Sequence, residues 1–88
     1  MSSENRAVLI TGAARGIGWA SAELFVSKGW HVTIGDVDVA EAKKRAAACP
    51  DKMLALPLDV TQPASIDAAF ASHLAQWGRL DALVNNAG

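Results

Sequence analysis

Three glycines fall within the seven residues Gly12-Ala13-Ala14-Arg15-Gly16-Ile17-Gly18, which follow Thr11 and run straight into a helical pattern. A turn of this kind favours an anion. Free N–H groups and the positive end of the helix dipole point into it, and absent side chains let a phosphate approach. On this reading Gly12 permits the tight turn, Gly16 the close approach, and Gly18 the packing of helix against strand. A glycine turn that binds nothing is the competing reading. No Gly-Lys-Ser/Thr follows, which excludes a nucleoside-triphosphate P-loop. Asp36 lies about eighteen residues beyond Gly18, close to where dinucleotide folds place the acid that binds the adenosine ribose hydroxyls. Its plain alternative is a solvated loop carboxylate. Asp59-Val60 and Asn85-Asn86-Ala87-Gly88 are two further clusters. Asp59 reads equally as a helix-capping carboxylate. The paired amides are placed to tie neighbouring strand ends together, and the two small residues leave room for a ribose.

All four clusters sit at the carboxyl ends of strand-like runs. Ala7 to Thr11 is apolar up to Thr11, as expected of a strand buried on both faces of a parallel sheet. From Gly16 to Lys28, Ile17, Ala20, Leu24 and Phe25 recur at helical spacing, with Gly29 at the capping position. His31 to Gly35 is the second strand, and Asp38 with Glu41 three residues later resembles a capping box opening a second helix that fades near Cys49. Met53 to Leu58 is a third strand, placed at an edge by Pro57, which lacks an N–H. Thr61 is a candidate N-cap, Pro63 sits in the first turn, and Ile66, Phe70, Leu74 and Trp77 form a stripe ending at Gly78. Ala82 to Asn85 is the fourth strand. Strict alternation of four strands and three helices implies an α/β domain with right-handed crossovers and a parallel sheet. Ligands bind such sheets beyond the carboxyl ends of the strands.

Composition narrows the function classes. Of the 88 residues 51% are hydrophobic and 19% charged, which suits one small ordered domain. A net charge of −1 offers no basic field for nucleic acid or a membrane surface. The start, MSSENRAVLI, has too short an apolar run for a secretory signal or a membrane span, and a cytoplasmic location is expected. Neither His31 nor His73 has a second ligand at metal spacing, so no metal site is read. Cys49 is expected to be inert, Trp19, Trp30 and Trp77 to pack, and Lys43-Lys44-Arg45 to form a solvated helix face.

The glycine turn Thr11 to Gly18, Asp59-Val60, and the run Gly78-Arg79-Leu80-Asp81-Ala82-Leu83-Val84-Asn85-Asn86-Ala87-Gly88 together resemble the short-chain dehydrogenase/reductase family, in the right order and over nearly the whole chain. The resemblance implies a Rossmann-type doubly wound parallel sheet, of which these residues supply the first four strands in the order 3-2-1-4. It also implies that Gly12, Arg15, Gly16, Ile17 and Gly18 surround a dinucleotide's phosphates and adenosine ribose. Asp59 by its carboxylate and Val60 by its backbone N–H would hold the adenine, while Asn86, Ala87 and Gly88 flank a ribose and brace the sheet. The implied reaction is hydride transfer between a nicotinamide cofactor and an alcohol or ketone.

The choice of cofactor turns on two residues. Asp36 can accept both ribose hydroxyls and would repel the extra phosphate of NADP, whereas Arg15 resembles the basic residue that holds that phosphate in NADP-using members. A like-charge contact costs several kcal/mol, against about 1.5 to 3 returned by a hydrogen bond to a charged group, so NAD is favoured. In this family a tyrosine, a lysine four residues later and a serine carry the proton chemistry. The chain has no tyrosine. Residues 1–88 are therefore expected to be the N-terminal half of a dinucleotide-binding domain, with the catalytic and substrate half absent, and the full-length protein to be a homo-oligomer. A non-catalytic dinucleotide-binding module is the alternative if the natural product ends at Gly88. A methyltransferase on a related scaffold is a third reading, disfavoured by Asn85 to Gly88. An unpaired fourth strand would leave the isolated 88 residues poorly stable or self-associating.

Overall fold

The computed structural model describes residues 6–86. Its elements follow the order β1 (Ala7–Thr11), α1 (Gly16–Ser27), β2 (His31–Asp36), α2 (Val39–Ala46), β3 (Met53–Pro57), α3 (Pro63–Trp77) and β4 (Ala82–Asn85). The strands form one parallel sheet in the order β3-β2-β1-β4. Thr11 pairs with Gly35 on one side and Asn85 on the other, and Asp36 pairs with Pro57, so the carboxyl ends of all four strands share one edge. The expected order and the edge position of β3 are both found. Pro57 ends β3, and Leu58 donates its N–H to the Asp36 carbonyl just beyond it.

β1 is flanked on both sides, and Ala7, Val8, Leu9 and Ile10 are wholly buried. Side chains alternate across the sheet. Val8, Ile10, Val32 and Ile34 pack with Ala22, Ala42, Ala46 and Met53 under α1 and α2. On the opposite face Thr33 meets His73 of α3. At its outer end β4 is joined to β1 through Asp81, which accepts the Ala7 N–H at 2.8 Å and donates its own N–H to the Ala7 carbonyl.

Two helix faces differ from expectation. Ile17 and Leu24 are 78% and 55% exposed, while Gly18 and Ala22 are buried and Trp19, Phe25 and Val26 pack on the core. Nearly every residue of α1 is apolar or small, so spacing alone leaves its rotation open. The contact of Gly18 with the glycine turn fixes the rotation, one residue (about 100°) from the expected stripe. In α3, Ala69 and His73 are the buried residues and Leu74 is 47% exposed. Thr61 is not the N-cap. Gln62 occupies that position without a side-chain bond, because the Thr61 N–H and hydroxyl both donate to Asp59 Oδ1. The basic face of α2 is likewise only partly solvated: Arg45 pairs with Glu41 and lies over the Trp19 ring at 5.1 Å. No helix among the described residues is long and apolar enough to cross a membrane.

Candidate functional site

The glycine turn is pinned to β2, since Gly12 donates its N–H to the Gly35 carbonyl at 2.8 Å. Gly12 and Gly16 have φ of 63° and 61°, the left-handed region in which a side chain is strained. A Cβ on Gly16 would meet nothing within 4 Å, so the turn is open on that side. Gly18 is the opposite case. A Cβ there would run into the Gly12 carbonyl oxygen, and would lie 2.8 Å from both Ala13 Cα and Asn86 Nδ2. The missing side chain therefore brings α1, the turn and the end of β4 together.

Helix α1 starts at this turn without a cap. Arg15 stands at the N-cap with extended backbone and no side-chain bond to the helix's own N–H groups, and no acid lies in the first turn. The first intrahelical bond runs from the Trp19 N–H to the Arg15 carbonyl. The N–H groups of Gly16, Ile17 and Gly18 have no acceptor among the described residues. Unsatisfied N–H groups at a helix start, beside an open glycine, suit an anion.

Asp36 borders the turn. Its Oδ2 accepts the Ala14 N–H and its Oδ1 the Asp38 N–H, each at 3.0 Å. Each oxygen keeps a further lone pair for a hydroxyl. Asp38 caps α2 by accepting the Glu41 N–H, and its other oxygen meets Arg15 at 2.6 Å. The Glu41 N–H and then Arg15 hold the Asp38 carboxyl below its ordinary value of 3.8. On the far side, Asn86 donates its side-chain N–H to the Gly12 carbonyl and its backbone N–H to Thr11 Oγ1, both at 3.0 Å. Thr11 Oγ1 in turn donates to Asn85 Oδ1. These bonds tie the amide pair to β1. Ala87 and Gly88 lie outside the described residues.

Gly12, Arg15, Gly16, Ile17, Gly18, Asp36 and Asn86 thus converge on one end of β1. No bond joins Asp59 to them. Its Oδ1 is taken by Thr61, its N–H donates to Ser65 Oγ, and the Thr61 hydroxyl, followed by the Thr61 N–H, lowers its pKa. Val60 shares with Thr11, Phe70, Leu83 and Asn85 the wall of a groove of about 150 Å³ between α3 and β4. Thr11 and Ala14 are site residues that spacing did not reveal, because one acts through a hydroxyl at a strand end and the other through a backbone N–H. The Arg15–Asp38 contact also lacked a sequence signal, since Asp38 reads fully as a helix cap. Among the described residues no three His, Cys, Asp or Glu side chains cluster to hold a metal.

Comparison with known proteins bears on the family and the fold. Residues 6–88 match the family described as short chain dehydrogenase. The chain is 46% identical to a sorbitol dehydrogenase of Cereibacter sphaeroides and to a galactitol 2-dehydrogenase of Agrobacterium fabrum, each over 99% of this chain and 34% of the relative. It is also similar to the crystal structure of a 3-ketoacyl-(acyl-carrier-protein) reductase from Brucella melitensis complexed with NADH. That structure has 41% identity and a TM-score of 0.94, covering 99% of this chain and 36% of the other. The 88 residues span about a third of the length of these relatives. On the family match, the identity and the shared fold, the chain belongs to the short-chain dehydrogenase family.

Proposed function

We propose that these residues form the cofactor-binding segment of an oxidoreductase that moves a hydride between NAD and an alcohol or ketone. One observation carries the proposal: an uncapped helix start, opened by two left-handed glycines, stands beside an aspartate at the end of the neighbouring strand. A dinucleotide needs donors for its diphosphate and an acceptor for its ribose hydroxyls, and this site offers both. The N–H groups of Gly16, Ile17 and Gly18 face the diphosphate, with Gly12 shaping the turn and Arg15 bordering the ribose. Asp36 accepts the ribose hydroxyls and repels a 2′-phosphate. Asp59 and the Val60 N–H border the adenine, and Asn86, with Ala87 and Gly88 after it, flanks the second ribose.

Bound there, the cofactor supplies the hydride acceptor or donor that no side chain can provide. The contribution of this segment is to bind and orient it. Catalytic proton transfer is assigned to none of the residues 6–86. NADH and NADPH titrations of the natural polypeptide, followed by calorimetry, test the reading. The wild type is expected to prefer NADH, and Asp36→Ala to narrow that preference by about tenfold or more, as deletion of a charged hydrogen-bonding partner implies. An unchanged ratio would overturn the assignment of Asp36.

A further inference from the structure

Arg15 and Asp38 lie on different loops, β1–α1 and β2–α2, yet their side chains meet at 2.6 Å beside the carboxylate of Asp36. Taking the dinucleotide reading as its basis, we propose that Asp38 is a positioning residue for cofactor choice. It holds the Arg15 guanidinium against α2 and so withholds from a 2′-phosphate the nearest cation. The sequence alone sets Asp36 and Arg15 as opposing influences on that choice. In the structure Asp38 removes the conflict.

The geometry supports a fixed role. One Asp38 oxygen is committed to the Glu41 N–H at 3.2 Å, which sets the orientation of the carboxylate, and the second is thereby presented to Arg15. The Asp38 N–H is itself held by Asp36 Oδ1, so the two acids form one rigid corner. The carboxyl stays ionised throughout the neutral range. Two carboxylates and one guanidinium then leave this corner with a net negative charge. A ribose hydroxyl tolerates that charge as a donor, whereas a phosphate is repelled. The Arg15 and Asp38 side chains are 65% and 37% exposed, so the pair adds little to folding and acts mainly on where the guanidinium resides.

The test is a double-variant cycle on the complete natural polypeptide, with NADH and NADPH affinities measured by calorimetry at one ionic strength. Asp38→Ser removes the charge while keeping an oxygen that can cap α2. It is expected to raise NADPH affinity about fivefold while NADH affinity stays within about twofold, the scale of a released exposed ion pair. Adding Arg15→Gln to Asp38→Ser should return the NADPH to NADH ratio to that of the wild type, whereas Arg15→Gln alone, which leaves two carboxylates unopposed, should lower that ratio below the wild-type value. Asp38→Asn, which keeps both shape and cap, should act in the same direction as Asp38→Ser. A gain that survives in the double variant, or no gain in either Asp38 variant while NADH still binds, overturns the proposal. Failure of the wild type to bind either nucleotide would instead remove the dinucleotide reading, and this proposal with it.

Discussion

Gly18 has no room for even a methyl group, because the backbone of Gly12 and Ala13 stands where a Cβ would go. Gly18→Ala must therefore push α1 off the turn. It is expected to destabilise the fold by about 1–3 kcal/mol, the usual cost of overpacking, and to weaken nucleotide binding more than it weakens folding. Urea unfolding and NADH titration on the same variant separate the two effects. A variant with wild-type stability and affinity would show that the turn is looser than described. At this scale the sequence was informative wherever a residue type has a narrow use. The tight turn at Gly12 and the close packing at Gly18 followed from the pattern, as did the place of Asp36 at the strand end. Bonds between side chains distant in sequence, such as Asp38 with Arg15 or Thr11 with Asn85, were not legible, since each partner has an adequate local role.

At the scale of elements, α3 is fastened to the sheet by a buried relay. Trp77 Nε1–H donates to Thr33 Oγ1 at 2.9 Å. The Thr33 hydroxyl is then free to donate to His73 Nδ1 at 2.7 Å, and His73 Nε2–H to donate to the Arg79 carbonyl at 2.9 Å. This assignment requires a neutral imidazole. Burial, opposed by the Arg79 carbonyl and Asp81, pushes the His73 pKa below its ordinary value of 6.5. The unfolded chain thus takes up a proton that the folded chain resists. The contribution of His73 to stability is complete above about pH 6.5 and is lost as pH falls toward the folded value. His31 shifts in the same direction, through burial first and Lys52 second. Unfolding free energy is expected to fall between pH 7 and pH 5. His73→Gln should flatten part of that slope and lower stability at pH 7 by about 1–3 kcal/mol, through the relay bonds it fails to replace. A variant with the wild-type slope would contradict a neutral buried His73. The stripe of Ile66, Phe70, Leu74 and Trp77 leaves His73 out, whereas it lies within the packed face of α3. A histidine satisfied at both nitrogens packs like an apolar residue, but spacing cannot reveal its partners.

For the whole molecule, strand order and the shared carboxyl edge were legible because right-handed parallel crossovers leave few topologies open. The bounds of β1 and β4 follow from short, uninterrupted apolar runs. The rotation of α1 was not legible, since a helix apolar on most sides takes its phase from its neighbours. Leu83 on β4 is 51% exposed and lies at the rim of the groove beside α3. A polypeptide of these 88 residues is expected to self-associate through this edge, and Leu83→Lys to reduce the association in sedimentation experiments. A wild-type monomer with sharp cooperative melting would contradict that expectation.

The most direct test of the central claim is a crystal structure of the natural polypeptide with NADH. The account predicts the diphosphate about 3 Å from the N–H groups of Gly16, Ile17 and Gly18, with the adenosine ribose hydroxyls on Asp36. A nucleotide bound away from the glycine turn, or a ribose that leaves Asp36 untouched, would contradict it.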